Sequence, residues 1–370
     1  MRLPTPILCT VLIALNACGQ QAAHDMISNS HKGIIDFAKV DTVQAPGKNI
    51  MLIYQDRKNN YWFGSWEEGL YQYDGKTMLH FTTACGLPGN RIDEIQEDHA
   101  GNLYFATNGS ILKFDGKQFI ALPESDADHD WKLIPSDLWF KDGWDSRFVF
   151  RCDGDSLYKL QLPPVRQGEE YIARNPTHPN PYTVYSMYKD SRGHAWFGTG
   201  ALGAVRYNGR SFDWILERDV MEIYNAPTEG ANGIRSIIED KDGYFWFNSL
   251  FRYRVYEAKK SLPGNPEGTF YSRTKSIGSL DGKEGGNLNE YLSITKDTNN
   301  ALWIATYNAG VYHYDGKKIT QYIVKNGPLA ITLFSVYRDR AGQLWLGTQK
   351  DGAYRFNGQT FERFTLNHKQ

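Results

Sequence analysis

Asp297-Thr298-Asn299-Asn300-Ala301-Leu302-Trp303-Ile304-Ala305-Thr306 and Asp339-Arg340-Ala341-Gly342-Gln343-Leu344-Trp345-Leu346-Gly347-Thr348 stand 42 residues apart and share one plan. An Asp opens a tight turn, an aromatic residue follows six positions later, and a small residue comes two after that. Working outward, the same spacing recurs at Asp56/Trp62, Asp98/Tyr104, Asp142/Phe148, Asp190/Trp196 and Asp240/Trp246. The seven Asp residues are separated by 42, 44, 48, 50, 57 and 42 positions. Five of the ten Trp occupy this single column, so the repeat is the organising feature of the chain.

The flanks of the column describe four short strands. An alternating segment such as Ile234-Arg235-Ser236-Ile237 precedes the Asp, and the aromatic begins a second strand, as in Trp196-Phe197-Gly198-Thr199. A third strand ends in Tyr73-Asp74-Gly75 or Tyr314-Asp315-Gly316, pairs that accept positive φ and favour a hairpin into a fourth strand. Four strands per unit of about 40–50 residues predict an all-β, seven-bladed β-propeller of four-stranded antiparallel blades. The blades are expected at approximately 49–88, 89–135, 136–180, 181–230, 231–287, 288–329 and 330–370. The repeated aromatic reads as a wedge between sheets, the small residue as a place of close backbone approach, and the Asp as an acceptor for turn N–H groups. Unit three has Phe148-Val149-Phe150-Arg151 in place of Trp-x-Gly-Thr, so six regular blades and one distorted one also fit. Ile34 to Val40 is expected to supply a closing outer strand to the last blade.

Composition agrees with such a fold. Aromatics make up 14% of the 370 residues and 35 glycines accompany them, as short strands and tight turns require. The 41 basic and 42 acidic side chains nearly cancel, which argues against a dedicated nucleic-acid binder. No run of about 20 apolar residues occurs that would span a bilayer as a helix.

Ile-x-x-Ile-x-Glu-Asp, Gly, Trp-x-Gly-Thr and Gly-Leu-x-x-Tyr-Asp-Gly, with the linker Gly86-Leu87-Pro88-Gly89-Asn90, resemble the two-component regulator propeller repeat. The resemblance covers about residues 49–370 and is poorest in unit three. It implies a propeller in an exported sensory or carbohydrate-related setting, as in periplasmic sensor domains of bacterial hybrid histidine kinases. No kinase or DNA-binding segment follows Thr365, so a stand-alone domain is expected here.

The first residues read as an address. Arg2 precedes an apolar stretch from Ile7 to Leu15, and Leu15-Asn16-Ala17-Cys18 follows at once. This resembles a bacterial lipoprotein signal peptide, with residues 1–17 removed, Cys18 lipidated and 18–48 a polar leash. The expected location is therefore the cell envelope, lipid-anchored at the outer membrane or periplasmic face. Cys85 and Cys152 would pair in an oxidising compartment or remain two half-buried thiols.

Four long inter-blade connections, Ala121–Ser136, Pro163–Tyr182, Ile215–Gly233 and Lys260–Asn289, predict a raised wall on one side of the channel rim. Candidate ligand-binding residues on it are His129, Trp131, Trp144, Glu169, Glu170 and Tyr171, aromatics and carboxylates of the kind that suit sugar faces and hydroxyls. Asn90, Asn232 and Asn289 recur eight residues before the Asp, near the channel mouth. They read either as amides for sugar hydroxyls or as turn residues bonding their own backbone. Asp126, Asp128 and Asp130, with Asp137 at the twelfth place, have the spacing of a calcium loop but carry Trp131 where Gly is expected. No other cofactor is indicated. The nine His show no metal-ligand spacing and no nucleophile elbow occurs, so no catalytic residue is assigned. The expected function is binding of an oligosaccharide or a cell-envelope protein, without catalysis. A propeller-fold polysaccharide lyase or glycoside hydrolase is the alternative, with His129, Glu169, Glu170 and Tyr171 as acid and base.

Overall fold

The computed structural model describes residues 33–125, 130–216, 233–247, 251–256, 270–275 and 291–366. Seven antiparallel sheets form a seven-bladed β-propeller. Blade 1 runs from the inner strand Ile50–Gln55 through Tyr61–Ser65 and Leu70–Tyr73 to the outer strand Met78–Phe81. Inner strands of the other blades are Glu94–Glu97, Leu138–Lys141, Val184–Lys189, Ile237–Glu239, Tyr291–Lys296 and Leu333–Arg338.

One carboxylate pins each regular blade. Asp190 Oδ1 accepts the Arg192 and His194 backbone N–H groups at 2.9 and 2.8 Å, closing the turn. Its Oδ2 accepts the Trp196 indole N–H at 2.9 Å. The pattern recurs at Asp56/Trp62, Asp240/Trp246, Asp297/Trp303 and Asp339/Trp345, where the indole N–H lies 2.8–3.1 Å from the carboxylate. In blade 2 the Tyr104 hydroxyl replaces the indole, 3.0 Å from Asp98 Oδ2. Each ring then packs on the following blade: Trp62 on Phe105, Trp196 on Phe245, Trp246 on Tyr314, Trp303 on Phe356 and Trp345 on Tyr61. A polar pair buried between sheets is tolerated because every donor and acceptor in it is satisfied.

The small residue after the aromatic is a steric requirement. A Cβ on Gly347 would stand 2.5 Å from the Ile50 carbonyl oxygen, and one on Gly198 would stand 2.6 Å from that of Ile234. Both oxygens belong to the chain leading into the next blade, so these glycines set the inter-blade spacing.

Blade 3 departs from the plan in its direction. Glu94 pairs with Ala106 and Glu97 with Leu103, so the inner strand of blade 2 runs from the channel mouth toward the Asp turn. Lys141 N–H donates to Glu94 Oε2 at 3.1 Å, while Gln96 Nε2 donates to the Trp139 carbonyl at 2.5 Å. The inner strand of blade 3 is therefore antiparallel to that of blade 2 and starts at the Asp-turn end. Its lead-in runs along that end: Lys189 Nζ donates to the Pro135 carbonyl at 2.8 Å, and Leu133 lies under the Gly209 turn. Among the described residues blade 3 has three strands, with Glu124 adding one parallel bridge at Leu157. The Asp142/Phe148 pair consequently lies at the mouth. Asp142 accepts from Ser146 Oγ at 2.7 Å and Lys159 Nζ at 3.0 Å, and the Phe148 side chain has no N–H to offer. The described residues of the Ala121–Ser136 connection thus do not join the mouth wall.

The expected closing strand is also elsewhere. Gly33–Ile34 pairs with the outer strand of blade 2 and Asp41–Val43 with that of blade 1, each as a fifth strand. Blade 7 supplies its own outer strand, Phe361–Arg363, and Ile35 is buried in the cluster between blades 1 and 2. The ring closes by Leu366 N–H to the Gln44 carbonyl at 2.7 Å, Gly352 N–H to that of Lys48 at 2.8 Å, and Tyr61 Oη to Asp339 at 2.6 Å.

Cys85 and Cys152 are separate buried thiols. Burial pushes the Cys152 thiol up to about 11, suppressing the reactive thiolate. Native protein carrying Cys9→Ser and Cys18→Ser should leave both thiols unmodified by DTNB and show two on denaturation. Rapid labelling of native protein would overturn this assignment.

Candidate binding site at the channel mouth

Six of the seven inner strands begin at one end of the channel, so the side chains at their starts converge there. Met51, Asp93, Tyr185, Arg235, Leu292 and Phe334 each stand five residues before the Asp of their unit, and all line one cavity. Trp66 and Tyr307, each four residues after the repeated Trp, join them, as does Trp144 from the loop of the inverted blade. The cavity measures about 870 Å³ and is drawn from all seven blades. That is within the range of small-ligand sites.

Aromatic rings and guanidinium groups alternate along one side of the mouth. Arg91 Cζ lies 3.7 Å from the Trp66 ring centroid and 4.9 Å from that of Trp144. Trp66 and Trp144 meet edge to face at 5.7 Å, and Trp144 meets Tyr185 at 5.6 Å. Arg235 Cζ lies 4.2 Å over Tyr185. Asp93 holds Arg91 Nε at 2.8 Å, which fixes its plane against the indole. Trp144 is 47% exposed, although it is among the largest apolar side chains of the fold. Such a ring, braced by its neighbours yet half exposed, is able to receive another surface.

Deeper in the channel, Glu94 lines both the mouth cavity and a second one, of about 730 Å³, opening on the Asp-turn face. Burial pushes its carboxyl above the ordinary range, with Lys141 opposing.

The residues singled out from sequence separate. Trp144 is at the mouth. Asn90 takes the turn role: its Oδ1 accepts Thr83 N–H at 2.9 Å. Glu169, Glu170 and Tyr171 lie on the helix Arg166–Arg174, near the mouth but bonded locally. Glu169 pairs with Arg147, which holds its carboxyl below the usual range, and accepts from Tyr182 Oη at 2.9 Å. Glu170 pairs with Arg166 at 2.9 Å, and Tyr171 Oη meets His178 Nδ1 at 3.0 Å. Trp131 packs between blades 3 and 4, against Trp139 at 5.6 Å and Phe212 at 4.7 Å. Asp137 is paired with Arg151 at 2.6 Å, both side chains 3% exposed, and Asp130 is exposed. Cys18, Asp126, Asp128, His129, Asn232 and Asn289 lie outside the described residues.

Sequence reading missed Trp66, Arg91, Tyr185, Arg235, Glu94 and Lys141. For Tyr185 and Arg235 the available signal was the variability of the column five residues before the Asp, which holds Met51, Asp93, Leu292 and Phe334 in other units.

Residues 86–109 and 178–201 match the two-component regulator propeller family. Those two segments are two-component regulator propeller repeats. Among solved structures, the extracellular domain of the one-component system BT4673 from B. thetaiotaomicron is similar, with 19% identity and a TM-score of 0.56. The alignment covers 85% of this chain and 39% of that one, so the chain spans about two fifths of that relative's length. Virginiamycin B lyase from Staphylococcus aureus is similar at 13% identity and a TM-score of 0.56, over 86% of this chain and 98% of the lyase. The WD40 propeller domain of Doa1 follows at 12% identity and a TM-score of 0.51, over 89% and 97%. At these identities the likeness is one of fold. No curated protein matches the chain.

Proposed function

We propose that the protein is an exported binding propeller of sensory or carbohydrate-related role that takes an oligosaccharide at its channel mouth. The observation that carries this is the half-exposed Trp144, packed against Trp66 and Tyr185 beside two stacked guanidinium groups. Sugar rings present C–H faces to aromatic planes and hydroxyls to Arg N–H groups, and the mouth offers both. BT4673, whose extracellular domain shares the fold, is described as a one-component system, which supports the sensory setting. Cys18, placed directly after an apolar stretch, supports a lipid anchor in the cell envelope. The lyase or hydrolase reading draws no support from Glu169, Glu170 and Tyr171, which bond to Arg147, Arg166 and His178.

The test is calorimetric titration of the purified protein with cellotetraose, maltotetraose, mannotetraose, xylotetraose and tetragalacturonate. Saturable binding that leaves the glycan intact on chromatography is expected for at least one of them. A glycan cleaved during the titration would replace this reading with the enzymatic one, and binding of none would remove it. An envelope protein would then be sought as the partner.

A further inference from the structure

We infer that Glu94 and Lys141 form the floor of the mouth site and read two neighbouring hydroxyls of the sugar residue that enters the channel. This rests on the oligosaccharide reading above. The pair exists because blade 3 is inverted: the last residue of its inner strand, Lys141, arrives at the mouth end beside Glu94, near the start of the inner strand of blade 2. Both residues line the mouth cavity, and Glu94 also reaches the cavity of the opposite face, so the pair stands where the two meet.

The geometry leaves the pair with capacity to spare. Lys141 N–H donates to Glu94 Oε2 at 3.1 Å, which orients the carboxylate. Lys141 Nζ stands 3.7 Å from Glu94 Oε1, close enough for charge attraction but beyond hydrogen-bond length. The ammonium therefore retains donors, and Oε1 retains lone pairs, on adjacent points of one surface. The two side chains keep 23% and 14% exposure, which is through the channel. Two hydroxyls on adjacent ring carbons match this: one donates to Oε1 and the other accepts from Nζ. An apolar group entering the same space would leave two charged groups stripped of water and unsatisfied, so the floor selects as well as binds.

The test titrates the same five oligosaccharides into wild type, Glu94→Gln, Lys141→Met and Trp144→Ala, each first checked for an unchanged melting temperature. Glu94→Gln keeps the acceptor for Lys141 N–H, and Lys141→Met keeps the length of the side chain. If either variant misfolds, the other decides. Both should bind the preferred glycan about 10- to 100-fold more weakly, as loss of a charged hydrogen bond predicts. They should also lose the discrimination between cellotetraose and mannotetraose, whose 2-hydroxyls point differently. A merely structural role would leave that ratio unchanged. Wild-type affinity and selectivity in both variants, with binding lost in Trp144→Ala, would overturn the floor assignment and leave the mouth site standing. Failure of wild type to bind any of the five would overturn the oligosaccharide reading and this assignment with it.

Discussion

Asp190→Ala and Trp196→Ala should each lower the melting temperature by on the order of 5–10 °C, while Asp142→Ala should move it by no more than about 2 °C. The three residues come from the same two columns of the repeat, so a reading by column alone expects equal effects. Their surroundings differ. Trp196 is fully buried and packs on Phe245 and Phe247 of the next blade, and truncating a buried Trp costs about 3–5 kcal/mol. Asp190 is 6% exposed and accepts three N–H groups; its removal strands all three, at about 1–3 kcal/mol for each buried donor left unsatisfied. Among the described residues Asp142 instead accepts from Ser146 and Lys159, and both side-chain donors can turn to water when it is gone. Thermal unfolding monitored by tryptophan fluorescence and circular dichroism measures the three shifts. Equal losses at positions 142 and 190 would show that blade 3 runs in the regular direction after all.

That contrast marks how far the fold could be read from residues alone. The column of Asp and Trp was legible because packing between blades repeats: every unit needs the same wedge, the same turn and, at Gly198 or Gly347, the same missing Cβ. The indole bond to the carboxylate was not foreseen, although a period of six places the two on adjacent strands. The direction of blade 3 was hidden because strand polarity leaves no trace in alternation, and Asp142 and Phe148 mimic the column while doing none of its bonding. Once the blade is inverted, its inner loop rather than its lead-in reaches the mouth. This is why Trp144 lines the cavity while Trp131, taken from sequence as its equal, packs between sheets. The mouth itself was poorly legible for the complementary reason. Positions such as Tyr185, Arg235 and Phe334 pack against other mouth residues rather than against the repeated wedge, so they follow no pattern until the fold gathers them.

Trp131 and Trp144 therefore give the sharpest separation of stability from binding. Trp144→Ala should weaken oligosaccharide binding by about 2 kcal/mol or more, roughly 30-fold, as loss of a central aromatic anchor does. It should leave the melting temperature nearly unchanged, because 47% of the side chain already faces water. Arg235→Ala should act in the same direction and more weakly: its guanidinium stacks on Tyr185 at 4.2 Å and stands 6.0 Å from Trp144, at the rim of the aromatic arc. Trp131→Ala should do the opposite. Its ring contacts Trp139, Phe197, Tyr207 and Phe212, so its loss opens a void between blades 3 and 4 and lowers the melting temperature, with glycan affinity retained at temperatures where the protein stays folded. Calorimetric titration and thermal melts on the same three preparations decide the matter. If Trp144→Ala binds as well as wild type while Trp131→Ala does not, the ligand sits between blades 3 and 4, and the aromatic arc at the mouth has another purpose.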